Sequence, residues 1–378
     1  MNRSIELAAV EAYAYRVPIK EPIKVAFGTF RDRPFVLVRL VDRDGAEGWG
    51  EVWCNWPTVG AEHRARLVVD IGERLVGRRY GCPEAMFEGL SRELEVLVLQ
   101  TGEVGPIAQA LAGIDIAAWD LVTRRAGVPL YSALTDKKLS RVPVYATGIN
   151  PDGPEDFALA RQQEGHRAFK LKTGFGSERD RRNLAAMREA LGSTAVIMTD
   201  ANQSLGLDQA IELARAAAPL DISWLEEPMR VDASACDWKT LAAASPIPLA
   251  GGENLRGEEL HAAASGDVLK FIQPDATKWG GVSGNIAVAR EAVAQGKDFC
   301  PHVFGGGIAL LTGLHLLAAV EARGALEYDC HPNAGRELIV GDLLKVCEGT
   351  VAVPEEPGLG AAPDRVALDS YRTWPISF

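Results

Sequence analysis

AVIMTDANQSLGLDQAIELARAAAPLDISWLEEP (195–228) holds two short apolar runs, AVIMT and ISWL, with a helical pattern between them. Each run stops at an acid, Asp200 and then Glu226, and the next comparable unit stops at Glu253 in PLAGGENL. The acids are 26 and 27 residues apart. One strand, one helix and two loops take about that many residues in a parallel α/β protein. Three carboxylates at the ends of three successive parallel strands meet in one place and repel one another unless a cation sits among them. Ligands that are all oxygen favour a hard cation, Mg²⁺ before Zn²⁺. Asp200, Glu226 and Glu253 are therefore the candidate metal ligands.

The same period extends in both directions. Eight apolar or β-branched runs follow one another: VPVYAT (142–147), AFKLK (168–172), AVIMT (195–199), ISWL (222–225), IPLAG (247–251), LKFIQ (269–273), DFCP (298–301) and ALEY (325–328). Eight βα units in a row, without a break, predict a closed (β/α)₈ TIM barrel. Before them, residues 1–50 read as strands with a hairpin signal at the DG of VDRDGAEG, and 60–76, 83–99 and 106–126 read as helices. The fold class is α/β, with an N-terminal α+β domain (1–130), a barrel (131–335) and a tail (336–378) expected to pack back on the first domain.

Composition narrows the partners. The 378 residues include 40 Lys and Arg against 51 Asp and Glu, a net charge of −11. That argues against nucleic acid or an anionic membrane as partner, and leaves room for a small anionic substrate held beside a metal. The six cysteines form no CxxC pair, which with the absence of an apolar core in MNRSIELAAVEAY predicts a reduced, cytoplasmic protein. The apolar stretch at 308–320 is too short for a membrane span and reads as a buried helix.

In such barrels the active site lies at the C-terminal ends of the strands. The second strand ends in Lys170 and Lys172, two apart and so on one face, with Phe169 and Leu171 on the other. Two ammonium groups in the barrel mouth need anions, and Lys170 is expected to depress the pKa of Lys172 and make it a usable base. Asn202 shares a face with Asp200. Alternation at Glu226-Glu227 sends one glutamate inward and the other outward. Asp275, after the sixth strand, lies within reach of His302, after the seventh, and a carboxylate on one imidazole nitrogen raises the basicity of the other. Glu327, on the eighth strand, adds a hydrogen-bonding group. Lys172 and His302 would then flank a substrate carboxylate at the metal, each able to move the proton on its α-carbon, while the metal and Lys170 stabilise the resulting enediolate.

FKLK, TDAN, WLEEP, GGEN, QPDATKWGG, PHVF and LEYD stand in one order along the chain. In this set the chain resembles the enolase superfamily, mandelate racemase subgroup, over nearly its whole length. The resemblance implies an N-terminal capping domain, Mg²⁺ on Asp200, Glu226 and Glu253, and Lys172, with Lys170 beside it, as one acid/base catalyst. It implies the Asp275–His302 pair as the other, and Asn202 and Glu327 as contacts of the metal-bound carboxylate. Asp275 stands where the muconate-lactonising and dipeptide-epimerase branch carries a catalytic lysine, and Lys278 is not that lysine. Segments 20–32 and 52–60 match the loops that close over the substrate, which makes Phe27, Trp53 and Trp56 candidate substrate-binding residues and Arg31 and Arg33 candidates for a distal carboxylate. The reading favoured is dehydration of an acid sugar to a 2-keto-3-deoxy acid. The alternative is racemisation or epimerisation of an α-hydroxy acid. A non-catalytic scaffold is disfavoured, because every expected site position is filled. A homo-oligomer is the expected assembly.

Overall fold

In the computed structural model, which describes residues 2–375, the first strands form an antiparallel meander, β1 (Ile5–Val25), β2 (Gly28–Asp42) and β3 (Glu47–Val52). The predicted DG turn joins β2 to β3, with Gly45 at φ 84°. Helix α1 (Gly60–Gly72), a two-residue strand β4 (Arg79–Tyr80), α2 (Pro83–Thr101) and α3 (Val104–Ala126) follow. The helix predicted over 60–76 stops at Gly72, where the chain turns back with Leu75 N–H donating to the Gly72 carbonyl at 2.9 Å. Helix α3 lies directly on β3. A Cβ at Gly50 would sit 2.0 Å from the Gly113 carbonyl oxygen, so this close contact requires glycine.

Eight parallel strands then alternate with helices: β5 (Arg141–Ile149), α4 (Pro154–Gln163), β6 (Ala168–Lys172), α5 (Ser177–Leu191), β7 (Val196–Asp200), α6 (Leu207–Ala217), β8 (Ile222–Glu226), α7 (Ala235–Ala244), β9 (Leu249–Gly251), α8 (Gly257–Ser265), β10 (Phe271–Ile272), α9 (Gly281–Ala294), β11 (Asp298–Phe299), α10 (Gly307–Ala319), β12 (Leu326–Asp329) and α11 (Ala334–Val340). The strand order runs from β11 down to β5 and on to β12. At the seam between β11 and β12, Phe299 N–H donates to Arg323 O at 2.9 Å. The apolar stretch at 308–320 is α10, buried along its length. No helix among the described residues is long and apolar enough to cross a membrane, and the six cysteines are free.

Alternation along the strands produces a layered interior. Tyr145, Met198, Trp224, Ala250 and Cys300 pack together as an apolar floor. Two residues beyond Met198, Trp224 and Cys300 come Asp200, Glu226 and His302, so the layer above is charged. The intervening Phe169, Leu171, Ile197 and Leu225 pack outward among the helices.

After the barrel, β13 (Thr350–Ala352) pairs with β5, α12 (Arg365–Leu368) follows, and β14 (Arg372–Trp374) pairs antiparallel with β1. The first domain is fastened to the barrel by buried acids. Glu51, on β3, accepts from Gly306 N–H (2.5 Å) and Ala309 N–H (2.9 Å) at the start of α10. Asp115, on α3, accepts from Ser283 N–H (2.9 Å) at the start of α9. Each carboxylate meets the positive end of a barrel helix. A buried ion pair joins Arg33 on β2 to Asp329 on β12.

Candidate active site

The strand ends of β6, β7 and β8 lie side by side, with Lys172 opposite Asp200 and Asp200 opposite Glu226 in the ladders. Lys170 Nζ contacts Glu226 at 2.7 and 2.9 Å and Glu327 at 2.8 Å, and is wholly buried. Trp224 Nε1 (3.2 Å) and Gln273 Nε2 (2.7 Å) also donate to Glu226. Lys172 Nζ donates to Asp200 at 2.5 Å, and Asp200 accepts from the backbone and side-chain N–H groups of Asn202 at 2.8 and 3.1 Å. His302 bridges two elements: Nδ1 lies 2.8 Å from Asp275 and Nε2 lies 2.5 Å from Glu253. Thr277 donates to the other oxygen of Asp275 from its backbone N–H (2.8 Å) and hydroxyl (2.5 Å), fixing that carboxylate. Glu327 accepts from Val303 N–H at 3.0 Å.

Asp200, Glu226 and Glu253 stand at the ends of neighbouring strands, but each carboxylate is taken by a cation: Lys172, Lys170 and His302 respectively. Among the described residues no three acidic, histidine or cysteine side chains are arranged together as a metal-binding group. The expected convergence of the carboxylates is thus replaced by pairing, for the repulsion that makes the cluster attractive to a metal also drives each acid to the nearest ammonium or imidazole.

The donor set nonetheless fits a divalent cation. Six carboxylates (Asp200, Glu226, Glu227, Glu253, Asp275 and Glu327) share the mouth with three lysines (Lys170, Lys172 and Lys278) and His302. With every basic group charged, two negative charges remain uncompensated. Burial pushes Glu226 up to about 7; Lys170 opposes the rise, and Asp200 and Glu327 add to it. Burial and the neighbouring Glu253 hold Glu227 well above the ordinary carboxylate range. A divalent ion with all-oxygen ligands supplies the missing charge.

The other shifts follow from the pairing. Burial pulls His302 down, but Glu253, Glu327 and the Asp275 hydrogen bond raise it well above the usual imidazole range. Burial lifts Glu327, but Lys170 and His302 bring it down to about 2. The expectation that Lys170 depresses Lys172 is only partly met. Burial and Lys170 do lower Lys172, but Asp200, Glu226 and Glu327 together outweigh them and the net shift is upward.

Strand alternation does not govern Glu227. The strand ends at Glu226, and Glu227 takes φ 36°, turning the chain. Its side chain stays buried, accepting from Asn254 Nδ2 at 3.1 and 2.8 Å. The same amide donates to Glu253 at 2.8 Å, and its oxygen accepts from Lys278 Nζ at 2.7 Å. Neither Asn254 nor Lys278 was assigned a role from the sequence; the adjacency of Asn254 to Glu253 in GGEN was the available signal.

Above these groups is a cavity of about 260 Å³. Lys172, Asn202, Glu253, Lys278 and His302 line it from the barrel, and Phe27, Phe30, Trp53, Trp56 and Phe304 from above. Phe30 packs on Trp56 (ring centroids 4.9 Å) and on Phe304 (5.3 Å), so the aromatics seal the domain contact as well as the cavity. Phe27 is 64% exposed at the hairpin tip. Larger cavities of about 570 and 520 Å³ lie among the barrel helices, and neither contains Lys172 or His302. Of the two arginines considered for a distal carboxylate, Arg31 points to solvent, and Arg33 is buried against Asp329 with its guanidinium 3.9 Å from the Phe304 ring centroid.

Comparison with known proteins identifies the family. Residues 8–134 match the mandelate racemase/muconate lactonizing enzyme N-terminal domain, and residues 155–367 match the family described as enolase C-terminal domain-like. D-galactarolactone cycloisomerase of Agrobacterium fabrum is 33% identical over 97% of this chain and 99% of its own. L-talarate/galactarate dehydratase of Salmonella typhimurium is 29% identical over 91% of this chain and 85% of its own. A mandelate racemase/muconate lactonizing enzyme from Bordetella bronchiseptica superposes with TM-score 0.92 at 46% identity, covering 97% of this chain and 99% of the other. A racemase from Streptomyces coelicolor with bound magnesium superposes with TM-score 0.86 at 28% identity, covering 97% and 100%. The chain belongs to the mandelate racemase/muconate lactonizing enzyme family of the enolase superfamily.

Proposed function

We propose that the chain removes the proton α to the carboxylate of an acid sugar and expels an oxygen from the β-carbon, in an Mg²⁺-dependent reaction. The observation that carries this reading is that Lys172 and the Asp275-bound His302 line one cavity from non-adjacent strands, β6 and the end of β11. Bound at Asp200, Glu226 and Glu253, Mg²⁺ would supply positive charge beside the substrate carboxylate and engage the acid that otherwise keeps Lys172 protonated. Lys172, free of Asp200, takes the α-proton. Lys170, wholly buried beneath, places a fixed positive charge where the enediolate develops negative charge. His302, held as imidazolium by Asp275 and Glu327, donates a proton to the departing oxygen. The aromatic roof excludes water from the intermediate.

When the leaving oxygen is a hydroxyl, the reaction is a dehydration that ends in a 2-keto-3-deoxy acid, and we favour this outcome. When it belongs to a ring, the same elimination opens the ring without loss of mass, as the name of the Agrobacterium cycloisomerase suggests for that relative. The second reading is racemisation or epimerisation of an α-hydroxy acid. Two proton carriers facing one cavity favour it, for each could serve one face of the α-carbon.

Mass spectrometry of pooled acid sugars, their lactones and α-hydroxy acids, incubated with the protein and Mg²⁺ in D₂O, separates these. Loss of water from one member establishes dehydration. A ring-opened isomer without mass loss from water establishes the ring-opening form, and a gain of one deuterium in an otherwise unchanged acid establishes racemisation. No change in any member removes the proposal.

A further inference from the structure

Lys278 is the one cavity-lining cation that the proposed reaction leaves unused. Lys172 is committed to Asp200, and His302 to Asp275 and Glu253. Lys278 makes different contacts. Its Nζ donates to Asn254 Oδ1 at 2.7 Å and lies 4.7 Å from the Trp53 ring centroid. Among the described residues no carboxylate oxygen lies within 4.0 Å of it. It is partly exposed and lines the cavity beside Glu253. Glu253 and Glu227 act on this ammonium only at longer range, so an ammonium held directly by one neutral amide and one aromatic face keeps free donor capacity.

Its position along the cavity is defined by Asn254. That amide touches Glu253 with its nitrogen and Lys278 with its oxygen, so Lys278 Nζ lies at most about 8 Å from Glu253 Oε1. A separation of at most about 8 Å is within reach of an extended six-carbon chain, so a ligand held by one carboxylate at Asp200, Glu226 and Glu253 could bring a second to Lys278. The two cap arginines cannot compete there, because Arg31 faces solvent and Arg33 is consumed by Asp329.

Resting on the proposed reaction, we infer that Lys278 binds the distal carboxylate of the substrate. It is thereby a specificity-determining residue that selects dicarboxylic acid sugars over their monocarboxylic counterparts. Trp53 steadies the ammonium from above, linking the cap loop to this selection. A charge-assisted hydrogen bond of this kind gives a preference of about 10- to 100-fold.

The test compares wild-type, Lys278→Gln and Lys278→Arg proteins, loaded with Mg²⁺, on hexarates and the matching hexonates. It reads kcat/KM by mass spectrometry and hexarate affinity by calorimetry. Lys278→Gln should lower the hexarate-to-hexonate ratio of kcat/KM by about 10- to 100-fold, and Lys278→Arg should restore most of it. An unchanged ratio overturns the inference. So does an equal loss on both classes together with weakened Mg²⁺ binding, since Lys278 would then only support Asn254 and Glu253. If the wild-type protein turns over neither class, the proposed elimination fails, and calorimetry still decides the role of Lys278. Loss of hexarate affinity in Lys278→Gln supports it, whereas unchanged affinity, or no hexarate binding to the wild-type protein, overturns it.

Discussion

Arg33→Met tests whether the two domains are locked by a buried charge pair. The guanidinium, 3% exposed, contacts Asp329, which is 5% exposed, and stacks on Phe304. Removing one partner of a buried pair leaves the other charged and poorly solvated, at a cost of about 3–5 kcal/mol. Asp329 retains His331 N–H at 3.2 Å and Arg336 at 3.9 Å, so the lower end, about 3 kcal/mol, is expected for the charge. Loss of the stacking contact adds about 0.5–2 kcal/mol. Arg33→Met/Asp329→Asn removes both charges and keeps an acceptor for His331, so it should be more stable than Arg33→Met alone. Urea unfolding followed by tryptophan fluorescence and circular dichroism measures both, with the m-value checked for constancy. A single variant within about 1 kcal/mol of wild type, or a double variant no more stable than the single, would refute the reasoning.

Lys172→Ala should leave secondary structure intact while lowering turnover about 10²- to 10⁴-fold, and full activity in that variant would remove Lys172 as the base. Glu226→Gln should weaken Mg²⁺ binding about tenfold or more by calorimetry; unchanged affinity would exclude it as a ligand. Burial raises Glu51 and Asp115 from their ordinary values to about 7. The folded protein therefore holds these protons more tightly than the unfolded chain. Their stabilising effect is complete below the ordinary carboxylate range, and it is lost as pH rises through about 7. For Glu51 alone the change is about 3 kcal/mol. The thermal midpoint of the wild-type protein should fall relative to that of Glu51→Gln, a neutral mimic of the protonated acid, as pH rises from about 4.5 to about 8, and parallel curves would show that Glu51 is not the group titrating.

The barrel was readable because its period is local. Most units repeat an apolar run, a charged residue at its end and a helix, so register within a strand predicts which residues share a face: Lys170 with Lys172, and Phe169 with Leu171. The pairing of Asp275 with His302 followed from adjacent strand ends in the same way. What was not readable depends on contacts between distant segments. Arg33 and Asp329 are 296 positions apart, and Glu51 and Gly306 are 255 apart. Nothing in either local pattern distinguishes a cap arginine that binds substrate from one that binds the barrel. The electrostatic balance was likewise inaccessible. Lys170 lies near Lys172 as the spacing implies, yet the sign of the shift at Lys172 is set by Asp200, at 2.5 Å, together with Glu226 and Glu327, which spacing alone does not fix.

These contacts also make the site one unit. Trp53 in the cap loop lies over Lys278, Lys278 holds Asn254, Asn254 holds Glu253, Glu253 contacts His302, and His302 is fixed by Asp275. A cation–π contact and a run of hydrogen bonds and ion pairs therefore connect the cap loop to His302, passing through a candidate metal ligand. Groups in one network respond together, so removing one releases its neighbours to new partners. Replacing Asn254 would free Glu253 and Glu227 at once, in a region where carboxylates already exceed the positive charge available. In the proposed reaction the contact of the cap loop, the orientation of the ligand carboxylate and the placement of the proton on His302 would then not be three separable tasks. The same side chains would serve all of them, so a substitution at Trp53 should change proton transfer as well as substrate affinity.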